Sequence, residues 1–362
     1  MNFLYNALID GLPVRVKAEG DQLYILNENE QKLLKRNYIR ALCFSAIFSV
    51  IGFLLYYLPT YYLKSWFPVV DLPWLGLVAF PWGEYLWGIL LMIIEIYLLV
   101  LLNIYAVHEI AVITGYISAE NKKQKKKELL NIGTEVVDPT IQKYGIDPFQ
   151  GLDKRKLFVY NTLFKLKGFI GNKLLQYLIK RLLGRYAVRE IIDFIGMPLY
   201  MFINAYSTHK VLTEAKLVIM GCNLIEAFVK NLPQIELTEG NKELIYDTLQ
   251  LISMSKRDYH QNHYLLTKQV FEHYAIDPKT YHFFSEDYLA KLATSDAQIR
   301  LLCEKILIMG FVLDGYLSQV EKKSIQKMNE QGVLNATITQ LEHYAQQFRN
   351  GEGIDLIHNG HA

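Results

Sequence analysis

The stretch Ala41-Leu42-Cys43-Phe44-Ser45-Ala46-Ile47-Phe48-Ser49-Val50-Ile51-Gly52-Phe53-Leu54-Leu55-Tyr56-Tyr57-Leu58 contains no charged residue. A second apolar run, Tyr85 to Val107, carries a single acid, Glu95. A helix needs about 20 apolar residues to cross the hydrocarbon core of a bilayer. The two runs therefore read as transmembrane spans over about 38–58 and 85–107, forming a hairpin over 38–107 with an outer loop, 59–84. The first run starts too far from Met1, and is too long, for a cleaved signal peptide.

The flanks orient the hairpin. Lys32, Lys35, Arg36 and Arg40 precede the first span, and Lys122, Lys123, Lys125, Lys126 and Lys127 follow the second. Lys64 is the one base between the spans. Short basic flanks stay on the cytoplasmic side. The expectation is a multi-pass protein of the inner (plasma) membrane with both termini cytoplasmic. Trp66, Trp74, Trp82 and Trp87 lie in or beside the loop, where amphipathic rings favour the headgroup level.

Charge divides the remainder. Residues 232–362 hold 12 of the 38 Lys and Arg and 17 of the 36 acids, a balance of −5 against +7 for 1–231. A basic membrane-proximal part suits anionic lipid headgroups, and the acidic part reads as soluble. Cys43, Cys222 and Cys303 are scattered singly, and no disulfide is expected.

Outward from the hairpin, residues 1–31 read as a small cytosolic β-hairpin, Pro13 to Ala18 and Leu23 to Leu26 joined by Glu19-Gly20-Asp21. Residues 108–150 read as a basic helical connector, with helix continuing through His108 and Glu109 to about Ser118. Residues 151–231 read as a basic, membrane-associated helical region. There Lys165, Lys167, Lys173, Lys180, Arg181 and Arg185 alternate with Leu163, Leu166, Ile170, Leu174, Leu178 and Leu182. Such a stretch either lies in the membrane interface or forms a helix pair with a solvated basic face.

Ile191 to Tyr206 is interrupted by Gly196-Met197-Pro198, and Val211 to Val229 contains Glu214, Lys216 and Glu226. These charges favour buried or half-inserted helices over two further spans. Residues 232–346 read as an all-helical domain, with helices over Asn241–Met254, Tyr259–Tyr274, about Phe283–Leu292, Ser295–Met309 and Ser318–Met328. Residues 347–362 read as a flexible tail. The expected fold class is mainly α: a transmembrane helical hairpin plus cytosolic all-helical domains, with a small N-terminal β-hairpin.

The C-terminal part resembles the TerB-like (tellurite-resistance B) helical domain over roughly 100 residues. The resemblance rests on Leu313-Asp314-Gly315-Tyr316-Leu317-Ser318-Gln319-Val320-Glu321, set against an Asp-Gly-x-Leu-Ser-x-x-Glu pattern between paired helices. In the other pseudo-repeat the Asp-Gly is missing, and Lys256-Arg257 stands at the corresponding place. The resemblance implies divalent-cation binding near these turns, for which only Asp314 and Glu321 survive. One Asp and one Glu fall short of the six to eight oxygens that calcium takes, so a helix stop at Gly315 and a Ser318–Glu321 capping box are favoured. The middle, Leu163 to Phe228, resembles EcsC-like membrane-associated proteins through Lys167-Gly168-Phe169-Ile170-Gly171-Asn172-Lys173, Ile195-Gly196-Met197-Pro198 and Asn204-Ala205-Tyr206-Ser207-Thr208.

Glu95 is the sharpest single residue, since an unpaired acid in the middle of a span is costly. In an antiparallel hairpin Ser45 and Ser49 reach its depth, on a small-residue stripe with Ala41 and Gly52. Glu95 is then either glue between helices or a proton or cation relay with Asn103, His108 and Glu109. A relay would require oligomerisation or a partner, because two spans do not enclose a path. His260 and His263, beside Asp258, form a ligand face only if a third ligand joins them, and a solvated helix face is favoured.

No phosphate-binding loop, zincin motif, nucleophile elbow or carboxylate pair appears, so no cofactor and no catalytic residue are expected. Lipid explains the basic segment better than nucleic acid. The favoured function is a non-enzymatic membrane adaptor or sensor that presents a cytosolic helical domain to a protein partner. The alternative is a subunit of an ion or metal-stress transport system that uses Glu95. A homo-oligomer stays open.

Overall fold

A computed structural model describes residues 24–72, 77–80, 82–117, 125, 144–147, 150, 196–256 and 260–354. Among them the chain is mainly helical, with nine α-helices: α1 (Glu28–Tyr62), α2 (Trp82–Ile113), α3 (Gly196–Lys230), α4 (Glu239–Lys256), α5 (Gln261–His273), α6 (Tyr288–Thr294), α7 (Ala297–Val312), α8 (Gln319–Glu330) and α9 (Ile338–Asn350). Most of the expected N-terminal β-hairpin, including all of Pro13 to Ala18, falls outside the described residues. So do Lys122, Lys123, Lys126, Lys127, Lys165, Lys167, Lys173, Lys180, Arg181, Arg185 and Asp258.

α1 starts at a capping box in which the Asn27 side chain accepts from Glu30 N and the Glu30 carboxylate accepts from Asn27 N. These bonds satisfy two donors that a helix start leaves open. α1 and α2 are each long and apolar enough to cross a membrane. They pack antiparallel, joined by Asn37 Nδ2 donating to Ala106 O at 2.9 Å and Trp87 Nε1 donating to Leu55 O at 3.0 Å. The second bond follows from the sequence. Pro59 has no N–H to give the carbonyl four residues back, and the Trp87 indole supplies that donor instead. The loop between the helices carries two strands the sequence reading did not anticipate, β1 (Val70–Leu72) antiparallel to β2 (Leu77–Phe80).

α3 is one 35-residue helix, not two interrupted pieces. Pro198 sits in its first turn, where a helix needs no N–H from it. Its N-terminal half packs against α1 and α2. Its C-terminal half buries Leu212, Ala215, Val218, Ile219, Leu224, Ile225 and Phe228 in the core shared with α4 to α9. The three charges that spoke against insertion lie in that second half. Glu214 faces His260 at 2.9 Å, Lys216 Nζ donates to Arg349 O at 2.9 Å, and Glu226 pairs with Lys125 at 3.3 Å.

Four of the C-terminal helices match those expected within a few residues, the one expected from about Phe283 starts at Tyr288, and one is added. α9 starts at a Thr337–Gln340 capping box and stops at Gly351, whose φ of 82° suits glycine. The segment read as a flexible tail thus opens as the last turn of α9. Gly351 O then accepts from Leu26 N at 2.8 Å, and Ile354 is buried.

The connector's end also docks on this bundle. The Gln250 amide brackets Asp147, donating to its carbonyl at 2.6 Å and accepting from its N–H at 3.1 Å. His282 N donates to Gly145 O at 2.9 Å. Gly145 has φ +66°, and a Cβ there would lie 2.5 Å from Lys279 O. The segments Tyr144-Gly145-Ile146-Asp147-Pro148 and Tyr274-Ala275-Ile276-Asp277-Pro278 repeat one pattern. Ala275, at φ 49°, holds the same left-handed position.

Candidate functional site

Two polar clusters stand out, one between α1, α2 and α3 and one where α4, α7 and α8 meet. In the first, Glu95 is 3% exposed and lies midway along α2. Asn204 of α3 donates through Nδ2 to Glu95 Oε1 at 2.8 Å and to Ser49 Oγ of α1. Ser49 Oγ lies 3.2 Å from Ser45 O and 3.4 Å from Tyr200 O. Gly52 completes the fit, because a Cβ there would stand 2.7 Å from Glu95 Oε2. One carboxylate, one amide and one hydroxyl thus tie three helices at a single level. A typical intramolecular hydrogen bond contributes about 0.5–1.5 kcal/mol net, and one to a charged group about 1.5–3 kcal/mol.

Of the residues expected beside Glu95, Ser49 is there and Ser45 lies one turn away, bonding its own helix at Leu42 O, 2.8 Å. Asn103 and Glu109 do not join. Asn103 Oδ1 is buried without a hydrogen-bond partner among the described residues. Glu109 forms an ion pair with Arg40 at the other end of the hairpin. His108 is buried on α2. Asn204 was missed as a partner of Glu95. Its signal was a lone amide in the apolar first half of α3, with a side chain that is 1% exposed once folded.

In the second cluster Lys256, the last residue of α4, reaches between two carboxylates. Its Nζ lies 2.7 Å from Asp314 Oδ1, contacts Glu321 Oε1 and lies 3.3 Å from Phe311 O. The Lys256 and Glu321 side chains are 2% and 1% exposed. Glu321 also accepts from Ser318 N at 2.8 Å, so the expected capping box is present, and Gly315 takes φ 75° at the helix stop. Burial pushes the Asp314 carboxyl up, while Lys256 beside it pulls the other way. The ammonium therefore occupies the space between the two carboxylates considered as cation ligands.

The two histidine rings lie edge to face, 6.0 Å between centroids, but bond different partners. His260 caps α5, its Nδ1 accepting from Asn262 N at 3.1 Å while Nε2 faces Glu214. That acceptor role fixes the proton on Nε2. His263 is buried and bonds Gly310 O at 2.8 Å. Burial, with Lys256 and His260 nearby, holds its pKa well below the usual imidazole value. Between them Asn262 donates to Leu217 O of α3 at 3.1 Å and to Leu313 O at 2.9 Å. Gly221 makes room for this clasp, as a Cβ there would collide with the Asn262 amide.

Among the described residues no three His, Cys, Asp or Glu side chains converge to hold a metal ion. Lys125, read as a lipid-facing base, pairs with Glu226 and lies 3.8 Å from the centre of the Tyr116 ring. Cys303 is buried, and burial pushes its thiol up to about 12, which keeps it protonated and unreactive. Neither family models, nor curated proteins, nor solved structures give a match to this chain.

Proposed function

We propose that the chain is a non-enzymatic adaptor or sensor of the plasma membrane. In this reading α1 and α2 cross the bilayer, both termini are cytoplasmic, and the α4–α9 bundle is a TerB-like domain offered to a protein partner. Residues 151–231 are EcsC-like in pattern, with Lys165, Lys167, Lys173, Lys180, Arg181 and Arg185 as the bases offered to anionic headgroups. The observation that carries the proposal is α3. One continuous helix is tied to both apolar helices through Asn204 and to the bundle through Asn262. In this reading α3 is the element through which the anchor and the bundle are connected.

The alternative is a transport subunit working through Glu95. It draws on the carboxylate and amide set at one level of the three helices, though Gly52 and Asn204 close tightly on that carboxylate. Reconstituted vesicles separate the two. The adaptor reading expects proton and cation flux to be the same for protein-containing and empty vesicles, and for Glu95→Gln. A flux present in the wild type and lost in Glu95→Gln would replace it with the transport reading.

A further inference from the structure

Among the described residues, α3 leaves an apolar face uncovered beside α1 and α2. Leu199, Phe202 and Tyr206 are exposed on consecutive turns, at 45, 67 and 60%. The Phe202 and Tyr206 rings stack at 6.1 Å. On the opposite face Asn204 and Thr208 are buried against the helix pair. No charge occurs from Gly196 to Ser207, and exposed His209 and Lys210 follow.

The register of the three helices gives the depth of that face. Tyr38 OH donates to Leu212 O at 2.6 Å, and Arg40 pairs with Glu109, so these residues mark one level, where charge begins on each helix. Asn204 meets Glu95 and Ser49 at a second level. At 1.5 Å per residue, Leu212 and Asn204 are about 12 Å apart, Tyr38 and Ser49 about 16 Å, and Glu109 and Glu95 about 21 Å, a mean of about 16 Å. Half the thickness of a hydrocarbon core is about 15 Å. The second level is therefore the bilayer midplane if the first is its cytoplasmic boundary.

We infer that the first three turns of α3 lie inside the bilayer as a third embedded helix, with Leu199, Phe202 and Tyr206 covered by lipid acyl chains. The occupant follows from continuity. Ile47, Ile51, Leu90, Ile93 and Ile94 are exposed along α1 and α2 through the same depths, and α3 extends that belt. Tyr206 lies about 3 Å from the Asn204 level and about 9 Å from the Leu212 level, within that belt, and His209 and Lys210 stand within one turn of the boundary, from which the long lysine side chain reaches the headgroups. The inference rests on the membrane reading of α1 and α2.

Spin labels on the full chain, with exposed Cys43 changed to Ser and placed in phosphatidylcholine–phosphatidylglycerol nanodiscs, test both. Labels go at Phe202→Cys, with Leu199→Cys as a second position. Ile93→Cys is the reference for α2, and Glu330→Cys is the reference for water. Collision with dissolved oxygen and with a water-soluble nickel chelate is measured. Phe202 and Leu199 are expected to match Ile93, gaining oxygen access and losing nickel access relative to Glu330. Nickel access at Phe202 and Leu199 with Ile93 protected would overturn the inference and leave the membrane reading standing. Nickel access at Ile93 as well would remove the membrane reading and the inference with it. Protection from both reagents, with dipolar broadening relieved by unlabelled protein, would assign the face to a second copy and also overturn it.

Discussion

Lys256 shows how much one side chain settles in this fold. Its ammonium lies between Asp314 and Glu321 and is itself buried. Removing one partner of a buried ion pair strands the other and costs about 3–5 kcal/mol. Lys256→Met is expected to lower the thermal unfolding temperature sharply, read by circular dichroism in detergent. Asp314→Asn with Glu321→Gln on that background should recover part of the loss.

His263 carries a pH dependence. Its folded pKa is depressed, so the folded state disfavours a proton that the unfolded state takes below about 6.5. The stability it provides is complete above that pH and is lost as pH falls toward the folded pKa. The slope is at most about 1.4 kcal/mol per pH unit for one group. His263→Gln, which keeps a donor for Gly310 O, is expected to flatten the fall in unfolding temperature between pH 7 and 5. An unchanged fall would assign it to other groups.

At the scale of elements, legibility followed the reach of the interactions. α1 and α2 are readable as helices because each rests on a long apolar run with at most one charge. The Ser318–Glu321 cap is readable because both partners lie within four residues. α3 was harder. Gly196-Met197-Pro198 looks like a break, yet a proline in a first turn is permitted, and the sequence does not say which turn it will occupy. Glu214, Lys216 and Glu226 spoke against a span, but their partners His260, Arg349 O and Lys125 come from distant positions that the sequence does not indicate. Glu95 was legible as a charge needing a partner, whereas Asn204, over a hundred residues away, was not. α9 was missed, although its Thr337–Gln340 box is as local as that of α8. The paired Tyr-x-Ile-Asp-Pro segments are visible in the sequence, whereas the left-handed position they share at Gly145 and Ala275 shows only in the fold.

α3 also predicts how the chain divides. Its buried C-terminal half lies in the core of the bundle. A fragment of residues 232–354 is expected to expose the surface that α3 covers and to bind a hydrophobic dye. A fragment of residues 208–354 should stay monomeric with sharp amide spectra. Equal behaviour of the two would show that α3 contributes little to that core.

At the scale of the whole molecule, one hydrophobic cluster runs from Tyr24 and Leu26 through α2 and α3 to Ile354. The two ends of the described chain meet where Leu26 N donates to Gly351 O, and a Cβ on Gly351 would collide with the Leu26 side chain. α1 begins two residues after Leu26. The last turn of the bundle thus latches the root of the first apolar helix and closes the chain into a loop. A protease that trimmed the carboxyl end back past Gly351 would unfasten that root while leaving every residue of α1 in place.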